Sequence, residues 1–324
     1  MKKIYVKDLI KIEGSFEDIF YLHSLKNLSG KKGDYIELVI SDKTGELKAY
    51  LFDLNVILEE GIYKVKGEIG VYKEEKRVII KEAEKVEINE LIKKEFIPTS
   101  TIPKEILKKE ILKEIDSLNN IFLKELLSKI FKGEFLENFL EAPAAVKYHH
   151  AYLGGLAEHT LNVVKIVKAI SECYNSINRD LLIAGALLHD LGKVLSYKID
   201  FKSSMTDEGK LLDHIYIGMK KIDEEIEKFN KERKFGGIFK SKFPEDLRLN
   251  LLHLIASHHG TKSQGALTDP MTKEAYILYM ADMLDAEIYK FDEAIKMAQE
   301  GERWSPYHSK LKKSVFIGGE IEND

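Results

Sequence analysis

The segment Leu181-Leu182-Ile183-Ala184-Gly185-Ala186-Leu187-Leu188-His189-Asp190-Leu191-Gly192 decides how this chain is read. Its first eight residues are apolar on every face, the mark of a helix buried all round rather than one lying on a surface. His189 and Asp190 follow at the helix end, and Leu191-Gly192 reads as its glycine close. A carboxylate there is buried, and an unpaired buried charge costs several kcal/mol or is neutralised by protonation. A cation must therefore sit against Asp190. Lys193 is one candidate, with His189 then an ordinary core histidine; a metal ion is the other, and the dipeptide alone does not separate them.

The remaining histidines and carboxylates favour the metal. His159 shares a helix face with Val163, Ile166 and Ile170, so its ring points inward. His214 begins a helix after Lys210-Leu211-Leu212-Asp213, and His258-His259 end the apolar helix of residues 247–257 just before Gly260. Asp282 lies in Tyr279-Met280-Ala281-Asp282-Met283-Leu284, with Asp285 three residues on and on the same side. Inward-pointing His or Asp on several separate helices specifies nitrogen and oxygen ligands for a dinuclear centre. Cys173 is the only cysteine, so no intramolecular disulfide forms and thiolate does not contribute. The donor set suits two divalent ions, Mn first, with Fe, Co or Zn as alternatives.

Outward from the core helix, amphipathic periodicity predicts further helices near 104–117, 119–131, 134–141, 156–174, 213–230, 245–257 and 272–299. Residues 1–90 follow a different rule. Phe16-Leu28, Tyr35-Ser41, Glu46-Phe52, Ile62-Tyr72 and Arg77-Val86 are short runs rich in β-branched and aromatic residues, separated by turn sequences such as Asp42-Lys43-Thr44-Gly45. A short insert at Asn55-Glu60 has helical character. Five strands with an insert after the third is the order of an OB-fold barrel. Pro98 and Pro103 mark a linker and a helix start. The expected fold is thus multidomain: an all-β OB-fold barrel over 1–92, a linker and helical segment over 93–142, and an all-α helical bundle over 143–324.

Composition sets outer bounds. The 324 residues are 44% hydrophobic and 32% charged, and no apolar run approaches the roughly 18 residues of a membrane span. The start MKKIYVKDLI lacks a signal-peptide pattern, so a cytoplasmic location is expected. A formal net charge of −4 argues against a surface that neutralises phosphates everywhere, yet 50 Lys and Arg leave room for a local basic stripe.

The order His, His-Asp, His, His-His, Asp, with the text His189-Asp190-Leu191-Gly192-Lys193, resembles the HD-domain superfamily over roughly residues 143–300. Three segments narrow the likeness: Tyr148-His149-His150-Ala151-Tyr152-Leu153-Gly154-Gly155-Leu156-Ala157-Glu158-His159-Thr160, Ser257-His258-His259-Gly260, and Ala281-Asp282-Met283-Leu284-Asp285-Ala286. These look like the YhaM-type 3′→5′ exoribonucleases, in which an OB-fold precedes an HD domain. The resemblance implies one metal on His159, His189, Asp190 and Asp282, with Asp190 bridging to a second on His214, His258 and His259. HD proteins with three metals carry a glutamate where this chain has Gly155, so two are implied.

The implied reaction is hydrolysis of single-stranded RNA, and of DNA as an extension, to nucleoside 5′-monophosphates. Asp190 is then a catalytic residue through the metals it bridges, and Lys193, one turn from His189, is a catalytic cation for the scissile phosphate; its plainer role is charge partner to Asp190. His149, His150, Lys262, Gln264 and Asp285 are candidate substrate contacts. On the barrel, Phe20, Tyr35 and Tyr72 are candidates to stack bases while Lys26, Lys31, Lys32 and Arg77 follow phosphates. Trp304 and Tyr307 in the tail suit packing at an interface, consistent with a homo-oligomer. Competing readings are an HD phosphohydrolase of small nucleotides, an HD di-iron oxygenase, and a single-strand binding module with an idle metal site.

Overall fold

The computed structural model describes residues 2–9, 11–12, 14–30, 33–52, 57–72, 75–87, 95–145, 152–198, 204–234, 241–298 and 301–318. The chain divides into two compact units, the first running to Thr99 and the second beginning at Ser100.

The first unit opens with a one-turn helix α1 (Val6–Leu9) and builds a closed barrel from β1 (Ser15–Gly30), β2 (Gly33–Asp42), β3 (Gly45–Leu51), β4 (Gly61–Tyr72) and β5 (Glu75–Lys85). The order around the barrel is β1-β2-β3-β5-β4, with β3 and β5 parallel and the other pairs antiparallel. Closure depends on β1 serving two partners. Its first half pairs with β4, from Ser15↔Glu68 to Leu22↔Gly61, and its second half pairs with β2. A bulge between His23 and Lys26, with Ser24 at φ 57°, bends the strand between the two pairings. Phe20, Leu22, Leu38, Ile40, Ala49, Leu51, Val65 and Val78 alternate inward to fill the interior. The five expected strands all form, each within two residues of its sequence bounds. The Asn55-Glu60 insert lies partly outside the described residues; its described part, 57–60, is not helical.

The second unit is helical: α2 (Lys104–Asp116), α3 (Ile121–Ile130), α4 (Gly133–Glu141), α5 (Gly155–Cys173), α6 (Arg179–Leu188), α7 (Lys193–Ser196), α8 (Asp207–Lys234), α9 (Glu245–Ser257) and α10 (Lys273–Lys296), with a small β6-β7 hairpin at Tyr197–Lys198 and Ser204–Met205. Side-chain caps fix several starts: Asn120, Asn178 and Thr272 accept from the first backbone N–H groups of α3, α6 and α10. Helix α6 is buried from Leu181 to Leu188, as an all-apolar helix must be. One core holds Leu107 and Phe139 from α2 and α4 together with Leu156, Ile183 and Leu254 from the later helices. Among the described residues, no helix is long and apolar enough to cross a membrane.

Candidate metal centre

The second unit's apolar helices deliver polar side chains at their ends or on buried stripes. Helix α6 stops at Leu188, which frees its last carbonyls. His189 Nδ1 donates to one of them, Ala186 O, at 2.8 Å. Helix α9 repeats the device: His258 Nδ1 donates to Ile255 O at 2.7 Å. His159, fully buried on α5, has Nδ1 against Asp285 Oδ2 at 2.6 Å, and His214 Nδ1 meets Asp213 Oδ1 at 2.9 Å. A carbonyl or an ionised carboxylate can only accept, so Nδ1 carries the proton in all four rings. In the neutral ring each Nε2 is then the lone-pair atom, aimed at the site.

Those lone pairs gather in two groups, His159, His189 and Asp282 in one and Asp190, His214, His258 and His259 in the other. In the first, His159 Nε2 lies 3.2 Å from His189 Nε2 and 3.1 Å from Asp282 Oδ1. Donors at about 2.1 Å from one ion stand roughly 3.0–3.4 Å apart in octahedral or tetrahedral geometry. Asp190 faces both groups. Its Oδ2 is 3.2 Å from His189 Nε2, and its Oδ1 is 3.4 Å from His214 Nε2 and 3.6 Å from His258 Nε2. Asp190 Oδ1, His214 Nε2 and His258 Nε2 are buried with no hydrogen-bond partner. Three orphaned acceptors converging on one point fit a cation, and hard oxygen with imidazole nitrogen fits a divalent first-row metal.

Titration follows the same charges. Burial pushes the His159 imidazolium down, but Asp282, Asp285 and Asp190 outweigh it and raise the group to about 9. Burial raises Asp190 and Asp282, yet Lys193, His189 and His214 hold the Asp190 carboxyl, and His159, His189 and His258 the Asp282 carboxyl, well below the usual range. His258 is lowered by burial, and His259 is lowered to about 3 by burial and by His258. In the second group His258 and His259 are therefore neutral imidazoles ready to ligate, whereas Asp190 and Asp213 outweigh burial at His214 and raise it.

Gly192 makes the second group possible. The sequence marks it as the glycine that closes α6, but its φ of −64° is one that any residue adopts. The requirement is space: a Cβ there would sit 1.9 Å from His214 O. The turn after Asp190 thus nests against α8 where that helix is broken at Asp213 (φ 64°, ψ 150°), and α8 restarts at His214. The restart matches the sequence reading; the turn of helix before it, from Asp207, does not.

Other expected site residues fall as follows. Lys193 is buried and donates to Asp190 Oδ2 at 2.6 Å, so the ion pair and the metal-ligand cluster coexist, the lysine satisfying one oxygen and leaving Oδ1 orphaned. Asp285 supports His159. Gln264 is committed to its own loop: Oε1 accepts from Thr261 N and Nε2 donates to Tyr279 OH, which leaves it braced rather than offered to a substrate. Lys262 is exposed beside it. His149 and His150 lie outside the described residues, as do Lys31 and Lys32, and the Tyr72 side chain is likewise not described.

Phe20 is corrected. It is fully buried in the barrel, with the Lys2 ammonium 3.5 Å over its ring, and presents no face to a base because β1 turns it inward. Tyr35 instead belongs to a surface cluster that the sequence reading missed in part. Its ring lies 5.6 Å from Phe52 and 6.2 Å from Tyr50, and the Arg77 guanidinium is 5.1 Å over Tyr50. Phe52 is 50% exposed, and Tyr35 also lines a cavity of about 400 Å³ with Asn27 and Ile57. Alternation marked Tyr50 and Phe52 as opposite in direction to the core residues Ala49 and Leu51, a signal that was available. Asp213 was missed too, although an Asp just before a helix-starting residue is a capping signal.

Comparison with known proteins agrees with this layout. A family model described as the HD domain matches residues 156–287. A 3′-5′ exoribonuclease YhaM of Listeria monocytogenes serotype 4b is 32% identical over 91% of this chain and 93% of that protein. Proteins of the same name from Geobacillus sp. (strain WCH70) and Bacillus licheniformis are 32% and 31% identical over 86% and 89% of this chain, and 83% and 90% of their own. A crystal structure of the HD domain of the L. monocytogenes phosphodiesterase PgpH covers 53% of this chain and 78% of its own at 15% identity and TM-score 0.28, too distant to carry weight.

Proposed function

The chain belongs to the YhaM family of 3′-5′ exoribonucleases, and from that premise we propose that it removes nucleoside 5′-monophosphates from the 3′ end of single-stranded RNA at a two-metal centre. The observation that carries the reading is Asp190, whose two oxygens face two separate donor groups while one of them stays unpartnered inside the protein. His159, His189, Asp190 and Asp282 would hold one ion, and Asp190, His214, His258 and His259 the other. Such a pair, Mn in this reading, would supply Lewis acidity toward the phosphodiester and would lower the pKa of a bound water.

The protein's own groups do the rest. The Nδ1 hydrogen bonds fix four imidazole planes and leave Nε2 as the atom each ring directs at the site for ligation. Lys193 holds Asp190 ionised, and its remaining N–H donors are assigned to the scissile phosphate. Tyr35, Tyr50 and Phe52 are assigned to base stacking, with Arg77 and Lys26 on the phosphates. Stacking recognises any base and does not read the 2′-hydroxyl, so these contacts suit single-stranded DNA as a second substrate.

The test uses 3′- and 5′-labelled RNA and DNA strands with Mn, comparing the wild type with Asp190→Ala. Release of labelled mononucleotide from the 3′-labelled strand, stepwise shortening of the 5′-labelled strand, and loss of both in the variant are expected. Mononucleotide hydrolysis with intact oligonucleotides would replace this reading with a small-nucleotide phosphohydrolase.

A further inference from the structure

The four imidazoles with fixed tautomers are not supported alike, and the difference is distributed evenly between the two donor groups. His189 and His258 lean on helix-end carbonyls, whereas His159 and His214 lean on carboxylates, Asp285 and Asp213. Each group thus contains one imidazole backed by a neutral dipole and one backed by a negative charge. A carboxylate behind an imidazole increases the electron density at the opposite nitrogen and fixes the ring plane more firmly than a carbonyl does.

The two carboxylates differ in setting. Asp285 follows Asp282 by three residues on α10, so one face of one helix grips both nitrogens of His159: Asp282 Oδ1 at 3.1 Å from Nε2, and Asp285 Oδ2 at 2.6 Å from Nδ1. The Asp285 side chain is only 11% exposed. Asp213 is 58% exposed, stands at a backbone break, and divides its Oδ1 between His214 Nδ1 and the Ile215 amide at 2.9 Å. Water and a second donor therefore dilute its hold on His214. The first group also has a carboxylate of its own, Asp282, in addition to its share of Asp190, while the second has only Asp190 among three histidines.

We infer that Asp285 and Asp213 are positioning residues that each govern one metal, with the Asp285-backed group the tight site and the Asp213-backed group the exchangeable one. This rests on the two-metal reading above. Neither residue belongs to the donor groups, so neither touches the ions; each acts through the imidazole it orients.

The test is Mn²⁺ titration of the full chain by isothermal calorimetry, with ions per chain counted by elemental analysis after gel filtration. The variants are Asp285→Asn, Asp285→Ala, Asp213→Asn and Asp213→Ala, each checked for native circular dichroism. The wild type is expected to bind two ions in distinguishable affinity classes. Asp213→Ala should weaken only the weaker class, by roughly 10- to 100-fold. Asp285→Ala should weaken the stronger class by a similar factor, and each asparagine variant, which keeps an acceptor without the charge, should recover part of the loss. Asparagine is close enough in shape to keep the test valid if an alanine variant fails to fold. Two ions in the wild type with both affinities unchanged in the asparagine and alanine variants would overturn the inference alone. So would equal loss of both ions in every variant that retains the native spectrum. A wild type that binds fewer than two ions would remove the two-metal reading as well.

Discussion

Asp190 sits where three requirements meet: its charge must be kept, buried and shared. Lys193 meets Oδ2 directly, and the histidines of both groups approach from the other sides. Removing the charge therefore does two things. Asp190→Asn should abolish measurable exonuclease activity, and in EDTA it should also lower stability by about 3 kcal/mol, because the Lys193 ammonium is left buried without its partner. The double variant Asp190→Asn/Lys193→Met should regain much of that stability and none of the activity. Urea denaturation of the three proteins in EDTA measures it, and a single variant as stable as wild type contradicts the pairing argument. His159 sets the pH dependence. Its folded pKa, about 9, is raised above the ordinary 6.5, so its contribution is complete below pH 6.5 and is lost as pH rises through 9. That difference is worth roughly 3 kcal/mol. The metal-free protein should lose melting temperature from pH 6.5 to 9, while the increment gained on adding Mn²⁺ grows over the same window, since the ion displaces the proton on Nε2. Thermal melts in EDTA and in Mn²⁺ read both slopes, and a metal-free melting temperature that climbs with pH would contradict the assignment.

At the level of elements, the site depends on where helices stop. Helices α6 and α9 end one residue before a ligand, and α8 breaks immediately before His214, so each imidazole finds a backbone or capping group for Nδ1. These stops were largely legible. The apolar run 181–188, the paired histidines before Gly260 and the 3.6-residue periodicity of the other helices all bear on burial and ends, which periodicity reports directly. The break at Asp213 was legible only as a helix start, because a positive φ at a non-glycine residue is imposed by tertiary packing and leaves no periodic trace. The role of Gly192 was misread for a related reason: local sequence suggests a cap, whereas the need for glycine comes from a backbone some twenty residues further on. Gly192→Ala should accordingly act at a distance. Its methyl cannot coexist with His214 O, so α8 must shift outward, stability should fall by about 2–4 kcal/mol, and the second ion should bind at least tenfold more weakly. Denaturation midpoints with Mn²⁺ titration check this, and an alanine variant with wild-type binding of both ions would show that the helix is not held by that contact.

On the scale of the whole molecule, chemistry and strand recognition are assigned to separate compact units, and the two were unequally legible. Charged and imidazole groups in an apolar helix announce a cost that something must offset, so the metal ligands stood out from sequence. Aromatic residues in a barrel carry no such signal, since the same side chain serves as core or as surface according to strand direction; Phe20 and Tyr35 illustrate the two outcomes. The protein's net charge of −4 leaves little general attraction for a polyanion, which places more of the binding energy on stacking. The double substitution Tyr50→Ala/Phe52→Ala should then raise KM for a single-stranded oligonucleotide by roughly 10- to 100-fold, consistent with about 1–3 kcal/mol per stacked base. Turnover at saturation should stay within about twofold, because those rings are on the unit that does not hold the metal ligands. The weakening should persist at high salt, where phosphate contacts are screened but stacking is not. Steady-state kinetics on a labelled strand at low and high ionic strength separate the cases: a fall in kcat with unchanged KM, or an effect that vanishes with salt, would move recognition off this aromatic cluster.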